Sequence, residues 1–500
     1  MATRAGDFTG GLPQVSALPT RRQAAAPSSQ RELRPGLVLA FVYAWGLAMA
    51  RLIDVSDDGK AMLLFGISFS MVAILAALVR PRWYLPLVVA YLPFSKVYPL
   101  PLFGIAGANM TNLLLALGPI AWISDRIQRR PRLRLGFVEA LVFFFVAASV
   151  LSVVPAYTAN PEFGEIAQTY RAWFAPLFFF FLARGLVRNR EDVAGVLQVL
   201  AWTAFLAGAI TWREGLDRSS RGTIEQARVP GLMEQPNAMG AFLVYYGVPL
   251  LACAVTARDW RKGWPYLFAF LITARATLYT FSRAAYLALA GGSVTVLLFG
   301  NPLLLAAAGG GGVVSLVLFP TLMPESVRER LSETTSERST YEGENPTTSL
   351  DRSSAHRLVL WRGAVRMIGD HPLVGVGLGR FQEMIGFYTE YPLRRSDPHD
   401  AHNAYLLQAA EMGLPSLGLL LLLFLTWGST ALRLFLRRHH PLDRRLALAF
   451  LGSLAGVLVS CLLGSRFSDE ALVGWFWILA ALVVVVSRLR EPRRAPRRAA

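Results

Sequence analysis

The stretch LPSLGLLLLLFLTWGSTALRLFLRRHHPLDRRLALAFLGSLAGVLVSCLLG (414–464) decides the fold. It contains two apolar runs, near 414–436 and 446–464, and the basic segment RLFLRRHHPLDRR (433–445) lies between them. Each run is close to the ~20 residues that an α-helix needs to cross a hydrocarbon core of ~30 Å. The stretch therefore predicts a pair of transmembrane helices joined by a basic turn.

Similar runs recur from residue 36 to about residue 490 of this 500-residue chain, which is 54% apolar and has a mean hydropathy of +0.41. We count about fourteen candidate spans, or twelve to thirteen if 83–97 and the close pair within 263–299 are discounted. The sequence predicts an all-α fold, a polytopic transmembrane bundle of about 12–14 spans with a large periplasmic loop that contains amphipathic helices. The candidate spans are 36–50, 61–79, 83–97, 105–123, 137–157, 172–187, 194–212, 237–257, 263–280, 284–299, 302–322, 414–436, 446–464 and 470–487.

The spans divide the chain into five segments. Residues 1–35 are rich in Ala, Ser, Pro, Gly and Arg without an apolar stretch, which predicts a disordered cytoplasmic tail rather than a cleaved signal. The other segments are transmembrane helices at 36–322 with an outer loop at 213–236, a large periplasmic loop at 323–401, C-terminal transmembrane helices at 402–490 and a basic cytoplasmic tail at 491–500.

The net charge of +17 is concentrated in alternate loops and in the tails. Short basic loops stay in the cytoplasm, so we expect a multi-pass protein of a bacterial inner membrane with both termini cytoplasmic. A basic groove with interleaved aromatic residues is missing, which argues against nucleic acid as a partner. The segments 213–236 and 323–401 would then face the periplasm, where any substrate must arrive already activated.

Neither a cofactor nor a metal is expected. Cys253 and Cys461 both lie inside apolar runs, which argues against a disulfide framework or a cysteine-based zinc site. A zinc site built on His399 and His402 is conceivable, but the neighbouring Asp400 is interpreted as loop solvation.

The outer loop contains an amphipathic helix and a glycine-rich segment. In HRLVLWRGAVRMIGDHP (356–372) the residues Leu358, Trp361, Val365 and Ile368 repeat on one helical face, which suits a membrane interface. The glycines of PLVGVGLGRF (372–381) lack the strand–loop–helix context of a nucleotide site. They predict close backbone approach instead.

Three charged or titratable side chains stand at outward helix junctions. Arg228 and Arg283 lie at the outer ends of predicted spans, where a charged side chain is energetically costly unless it snorkels to the headgroups, pairs with an opposite charge or binds an anion. Arginine suits bidentate contact with phosphate. Snorkelling into headgroups is the competing interpretation. His402 is either a polar loop residue or a base, because Asn403 can supply the helix N-cap and leave the imidazole free.

The combination of motifs resembles the O-antigen ligase and O-antigen polymerase superfamily. The first is the pattern P-L-x-G-x-G-x-G-x-F from Pro372 to Phe381, followed by H-N-x9-G from His402 to Gly413. The second is R-x-x-G-x-x-x-x-P-N-x-x-G from Arg228 to Gly240, with S-R-A-A-Y at 282–286. Together they cover roughly residues 165–435.

The resemblance implies glycosyl transfer from a polyprenyl-diphosphate-linked glycan to an acceptor hydroxyl at the periplasmic face. By analogy Arg228 and Arg283 would bind the diphosphate, and His402 would deprotonate the acceptor. Such an enzyme would be a metal-independent, inverting glycosyltransferase. The supporting residues are Asn403, Gly375, Gly377, Gly379, Arg357 and Trp361, and whether Glu411 or Arg171 shapes the pocket stays open.

The expected partners are the lipid-linked donor, a glycan or lipid acceptor and membrane lipids, with a flippase and a chain-length regulator in the same pathway. The alternative function is a transporter or flippase of lipid-linked oligosaccharide. The absence of a clear internal repeat disfavours it. Leu414, Pro415 and Ser416 depart from the Gly or Thr that lipid A-core ligases carry there, which favours the polymerase branch.

Overall fold

The computed structural model describes residues 58–96, 109–129, 136–159, 163–218, 224–309, 352–389 and 400–489. Within these ranges the regular elements are helices, apart from short turns. They are Asp58–Val79 (α1), Pro81–Tyr91 (α2), Met110–Arg129 (α3), Phe137–Val150 (α4), Val153–Ala159 (α5), Phe163–Leu186 (α6), Arg190–Arg218 (α7), Ile224–Ala227 (α8), Pro236–Val255 (α9), Trp260–Leu278 (α10), Arg283–Gly300 (α11), Arg352–Asp370 (α12), Phe381–Tyr388 (α13), Ala404–Arg437 (α14), Pro441–Leu462 (α15) and Glu470–Arg488 (α16). The predicted tails 1–35 and 491–500, the span 36–50, residues 310–322 of the span 302–322, and residues 323–351 and 390–399 of the large loop lie outside the described residues.

Seven helical segments among the described residues are long and apolar enough to cross a membrane. They are Phe137–Thr158 (α4 with α5), α7, α9, α11, α14, α15 and Ala471–Arg488 of α16. This confirms the predicted fold class, an all-α polytopic bundle, while the total of 12–14 spans stays a prediction.

Two predicted boundaries differ from the helices observed. The predicted span 83–97 corresponds to α2, whose 11 residues would cover only about half of a hydrocarbon core. Helix α7 continues to Arg218, beyond the predicted end at residue 212. An ion pair of 2.8 Å between Glu214 and Arg218, four residues apart, supports that last turn.

Helices α9 and α16 form the centre of the bundle. In α9, Phe242 and Tyr246 are fully buried and their rings stack with centroids 4.1 Å apart. In α16, Trp475 and Trp477 are almost fully buried, and the Tyr246 hydroxyl donates to the carbonyl of Ala471 at 3.3 Å. Both helices are apolar around most of their circumference because other helices surround them.

Buried ion pairs join the helix ends that carry the basic loops. Arg190 at the start of α7 binds Asp443 near the start of α15 through two bonds of 2.7 and 2.8 Å, and Asp443 is fully buried. Glu139 of α4 accepts from Arg184 of α6 at 3.0 Å and from Arg488 of α16 at 2.8 Å. We call this end of the bundle, defined by these five residues, the basic end.

Contacts at the opposite end join the loops that the charge pattern predicted to share the other side. Arg171 of α6 donates to the Asn112 side chain of α3 at 2.9 Å. The Leu378 amide donates to the carbonyl of Ser152, between α4 and α5, at 3.2 Å. Since the candidate site residues also lie here, we call it the site end.

We predict that Asp443→Ala lowers the free energy of unfolding by about 3–5 kcal/mol, because it removes the buried carboxylate that Arg190 binds through two bonds. Thermal denaturation in detergent, followed by size-exclusion fluorescence, measures the loss. The double variant Arg190→Met/Asp443→Leu should recover most of it. Glu214→Gln, which removes a partly exposed pair, should cost well under 1 kcal/mol. Equal losses for Asp443→Ala and Glu214→Gln would contradict the assignment.

Candidate active site

Helix α12 packs on protein rather than only on the membrane surface. Its fully buried residues are Leu360, Ala364 and Met367, which contact Phe381 and Ile385 of α13. The apolar face is thus rotated from the predicted one, and of the predicted residues Val365 is 58% exposed. The reason is tertiary: α13 and the start of α14 cover one side of α12.

Trp361 connects α12 to the turn that carries His402. Its indole N–H donates to the carbonyl of Ala401 at 2.8 Å. Ala401 is fully buried in the same apolar cluster as Leu360. Trp361 therefore links α12 to the turn that carries His402, and its supporting role in a site stays a prediction.

The glycine loop, residues 372–380, lies against a break in helix α14. Gly413 has φ +79° and ψ 165°, so α14 consists of two helical pieces with a kink between them. Past the kink, Pro415 has no N–H to donate to the carbonyl of Glu411, its partner in a regular helix. The Gly377 amide donates to that carbonyl instead, at 3.2 Å, and the Val376 amide donates to the carbonyl of Ala410 at 2.9 Å.

The conformation of the loop requires glycine. Gly375, Gly377 and Gly379 have φ of +74°, +109° and +80°. A Cβ at Gly375 would lie 2.3 Å from the carbonyl carbon of Glu411, and a Cβ at Gly377 would lie 2.7 Å from the Ala156 nitrogen. The predicted close backbone approach is thus confirmed for these two residues.

The Glu411 side chain binds the C-terminal end of the glycine loop. Its side chain is only 4% exposed, and one carboxylate oxygen accepts the amide of Phe381, the first residue of α13, at 3.1 Å. A carboxylate at a helix N-terminus is favoured by the helix dipole. The sequence left the role of Glu411 open, and the structure gives it a positioning role.

His402 occupies a strained turn, residues 400–403, immediately before α14. Its φ of +47° is left-handed, which is unfavourable for a residue with a Cβ and is found preferentially at functional sites. Asn403 is the N-cap of α14, and its side-chain oxygen accepts from the amides of Tyr405 at 3.0 Å and Leu406 at 3.1 Å. The cap assignment is confirmed, and the His402 imidazole takes no part in it.

The surroundings of His402 hold its pKa below the ordinary value for histidine. Partial burial is the largest cause, the nearby charge of Asp400 opposes it, and the positive charges of Arg357, Arg466 and His356 add to the lowering. The neutral imidazole, which can accept a proton, is therefore the dominant form near neutral pH.

Asp400, which the sequence analysis interpreted as a solvated loop residue, lies close to the His402 imidazole. One carboxylate oxygen of Asp400 lies 3.4 Å from Nδ1 of His402. That placement favours the tautomer with its proton on Nδ1, which leaves Nε2 as the proton acceptor. The other half of the conceivable zinc pair, His399, lies outside the described residues.

Arg228 and Arg283 are brought together at one turn between α10 and α11. Arg228 donates to the side chain of Asn237 at 2.8 Å and to the carbonyl of Thr280 at 3.3 Å. Ser282 is the N-cap of α11, and Arg283 is the first residue of that helix. The two upstream motifs, which are some fifty residues apart in sequence, thus meet at the turn before the N-terminus of α11, and we call these two arginines the Arg228–Arg283 cluster.

Close packing at Gly240 explains the last glycine of the upstream motif. A Cβ at Gly240 would lie 2.6 Å from Cβ of Ala285 and 2.9 Å from the Thr280 hydroxyl oxygen. Helix α9 therefore packs directly on the turn that carries Arg283.

Helix α15 contacts both the helix that begins with Arg283 and the helix that follows His402. Gly292 of α11 contacts α15 so closely that a Cβ there would lie 3.0 Å from the carbonyl oxygen of Gly452. The Tyr405 hydroxyl of α14 donates to the carbonyl of Leu458 of α15 at 3.1 Å. The structure thus places both groups of predicted residues at the site end, on neighbouring helices.

Arg466 is a site residue that the sequence reasoning missed. It lies between α15 and α16, and its charge acts on His402. It falls outside the quoted motifs, but one signal could have found it: it is an arginine in a short connection on the side predicted to be poor in basic residues.

A comparison with curated proteins finds no match to the chain. A comparison with protein families matches residues 268–425 to the Wzy_C family model, O-antigen ligase. The matched region contains Arg283, the glycine loop and His402, whereas Arg228 and Arg466 lie outside it. Over residues 268–425 this multi-pass membrane protein is therefore similar to O-antigen ligase, which confirms the resemblance found in its motifs.

Proposed function

We propose that the protein transfers a glycan from a polyprenyl-diphosphate carrier to a sugar hydroxyl at the periplasmic face of a bacterial inner membrane. The observation that carries the proposal is a neutral His402 on a strained turn, at the same end of the bundle as the Arg228–Arg283 cluster. The family match supports membrane glycosyl transfer in general. In this orientation the basic end faces the cytoplasm, and both termini are cytoplasmic.

The chemistry assigns one role to each group. Nε2 of His402 takes the proton of the acceptor hydroxyl as that oxygen attacks the anomeric carbon. The bond from the anomeric carbon to the diphosphate breaks, and the bonding electrons leave with the diphosphate. Arg228 and Arg283 stabilise the charge that this leaving group gains, a task that needs no metal. One direct displacement inverts the anomeric configuration.

The donor and acceptor in this proposal are both anchored to, or presented at, the membrane. A flippase would deliver the donor, and a chain-length regulator would act on a polymerase. A transporter would require neither a proton acceptor at His402 nor the tautomer that Asp400 favours, so the transferase is the better explanation of these two residues.

We predict that His402→Ala lowers transfer by at least about 100-fold, because a positioned general base contributes about that factor or more. The assay scores surface glycan and lipid-linked intermediates in cells with equal protein levels. His371→Ala, at an exposed histidine of the same end, should leave transfer unchanged. Accumulation of single lipid-linked repeat units would identify a polymerase, and full-length lipid-linked polymer a ligase. Normal glycan in His402→Ala would refute the proposal.

We predict that transfer in membrane vesicles persists to a pH below the ordinary histidine pKa of ~6.5, because the pKa of His402 is lowered. The rate should fall at lower pH as the imidazole takes up a proton. Asp400→Asn removes the charge that raises this pKa and leaves Arg357, Arg466 and His356, so the acid limb should move to still lower pH. The measurement is initial rate against pH with both compartments buffered. A shift to higher pH would contradict the assigned electrostatics.

We predict that Arg283→Gln lowers kcat/KM for the donor by about 100-fold or more, the usual loss when one donor to a developing charge is removed. Arg283→Lys should recover only part of the activity, since lysine keeps the charge but not the bidentate geometry. Arg213→Gln, an exposed arginine near the same end of α7, is the matched control and should change nothing. Donor kinetics in detergent or vesicles measure all three, and a fully active Arg283→Gln would exclude the diphosphate role.

A further inference from the structure

Arg466 folds back over its own chain into the site end. A Cβ at Gly464 would lie 2.7 Å from Nε and 3.0 Å from Nη2 of Arg466, so the guanidinium lies directly against the buried Gly464. This glycine follows the last turn of α15, the helix that is bonded to α14 through Leu458 and Tyr405. The Arg466 side chain is only partly exposed.

The Arg466 guanidinium has no acidic partner in the part of the chain that the structure describes. The nearby Asp469 is already engaged, since it pairs with Lys96 and caps α16 through the Ala471 amide at 3.1 Å. The hydroxyl oxygen of Ser465, beside Arg466, is buried and has no hydrogen-bond partner among the described residues. A half-buried cation without an acidic partner and a buried hydroxyl without a hydrogen bond are each costly unless a ligand completes them.

The chemistry of the transfer indicates which ligand this is. In a direct displacement the attacking oxygen and the leaving oxygen lie on opposite sides of the anomeric carbon. The base must be within hydrogen-bond reach of the attacking oxygen, so the surroundings of His402 belong to the acceptor. The donor diphosphate already has Arg228 and Arg283, whereas Arg466 follows the end of α15, which is bonded through the Leu458 carbonyl to Tyr405, three residues after His402.

We propose that Arg466, with the Ser465 hydroxyl, binds an anionic group of the acceptor, a phosphate or a carboxylate, and so places the acceptor hydroxyl at His402. The inference rests on the proposed transferase function and adds to it a substrate class, an acidic acceptor glycan. Arginine is suited to this contact because its planar fork matches both phosphate and carboxylate oxygens.

The test compares acceptors that differ only in charge. The probe is the lipid-anchored acceptor extracted from cells lacking this protein, used as isolated, after phosphatase treatment, and after chemical reduction of its carboxyl groups. With wild-type protein in vesicles, one of the two treatments should raise the acceptor KM about 10- to 100-fold, the usual effect of losing a charge-assisted hydrogen bond. The treatment that does so identifies the anion as phosphate or carboxylate.

The variants locate the effect at Arg466. Arg466→Gln should raise the KM of the untreated acceptor by a similar factor, abolish discrimination between treated and untreated acceptor, and leave the donor KM unchanged. Arg466→Lys should restore part of the discrimination. Gly464→Ala keeps the charge but displaces the guanidinium, so it should give an intermediate KM. Arg362→Gln, at an exposed arginine of α12, should behave as wild type.

Three results would overturn the inference: a donor KM that rises in Arg466→Gln while the acceptor KM does not, discrimination that survives Arg466→Gln, or a wild-type enzyme indifferent to both treatments. These failures are distinct from failure of the proposed function. If the proposed function itself failed, wild-type vesicles would transfer no glycan, or His402→Ala would transfer as well as wild type. A loss of folding in Arg466→Gln would show as a lower melting temperature, and Gly464→Ala then carries the test.

Discussion

A carbonyl group that its own helix cannot satisfy organises the site end. Pro415 offers no N–H to the carbonyl of Glu411, and a buried carbonyl without a donor is costly. The glycine loop supplies the donor through Gly377, and it can approach closely enough only because its glycines have positive φ and no side chain. The loop in turn leads into α13, against which α12 packs, and Trp361 of α12 holds the turn before His402. A helix break eleven residues away in sequence thus helps to fix the position of His402.

The two ends of the bundle use arginine in different ways. At the basic end, Arg190 and Arg488 each bind a buried carboxylate, so their charge is largely cancelled by the fold. At the site end, Arg228 donates to a carbonyl and an amide oxygen, which orient its guanidinium. The first arrangement suits stability, and the second suits recognition of an anion.

The sequence alone was sufficient for the fold class, for the N-cap of α14 and for the close backbone approach of the glycine loop. Span lengths predicted the all-α bundle, alternating loop charge predicted which loops meet, and capping rules identified Asn403. The buried face of α12 could not be predicted, because periodicity shows that a helix has an apolar face but not which partner covers it. The left-handed backbone of His402 has no sequence signature either, since it follows from the anchoring of Ala401. Arg466 was missed because a single arginine in a short loop carries no spacing pattern.

The position of α16 has a consequence for biosynthesis. This helix emerges from the ribosome after the helices that surround it, yet its aromatic residues Trp475 and Trp477 are buried among them. The earlier helices must therefore enter the bilayer without complete packing at the centre of the bundle. They pack fully only after α16 has inserted. Arg466 precedes α16 directly, so the site end is completed only when this helix inserts.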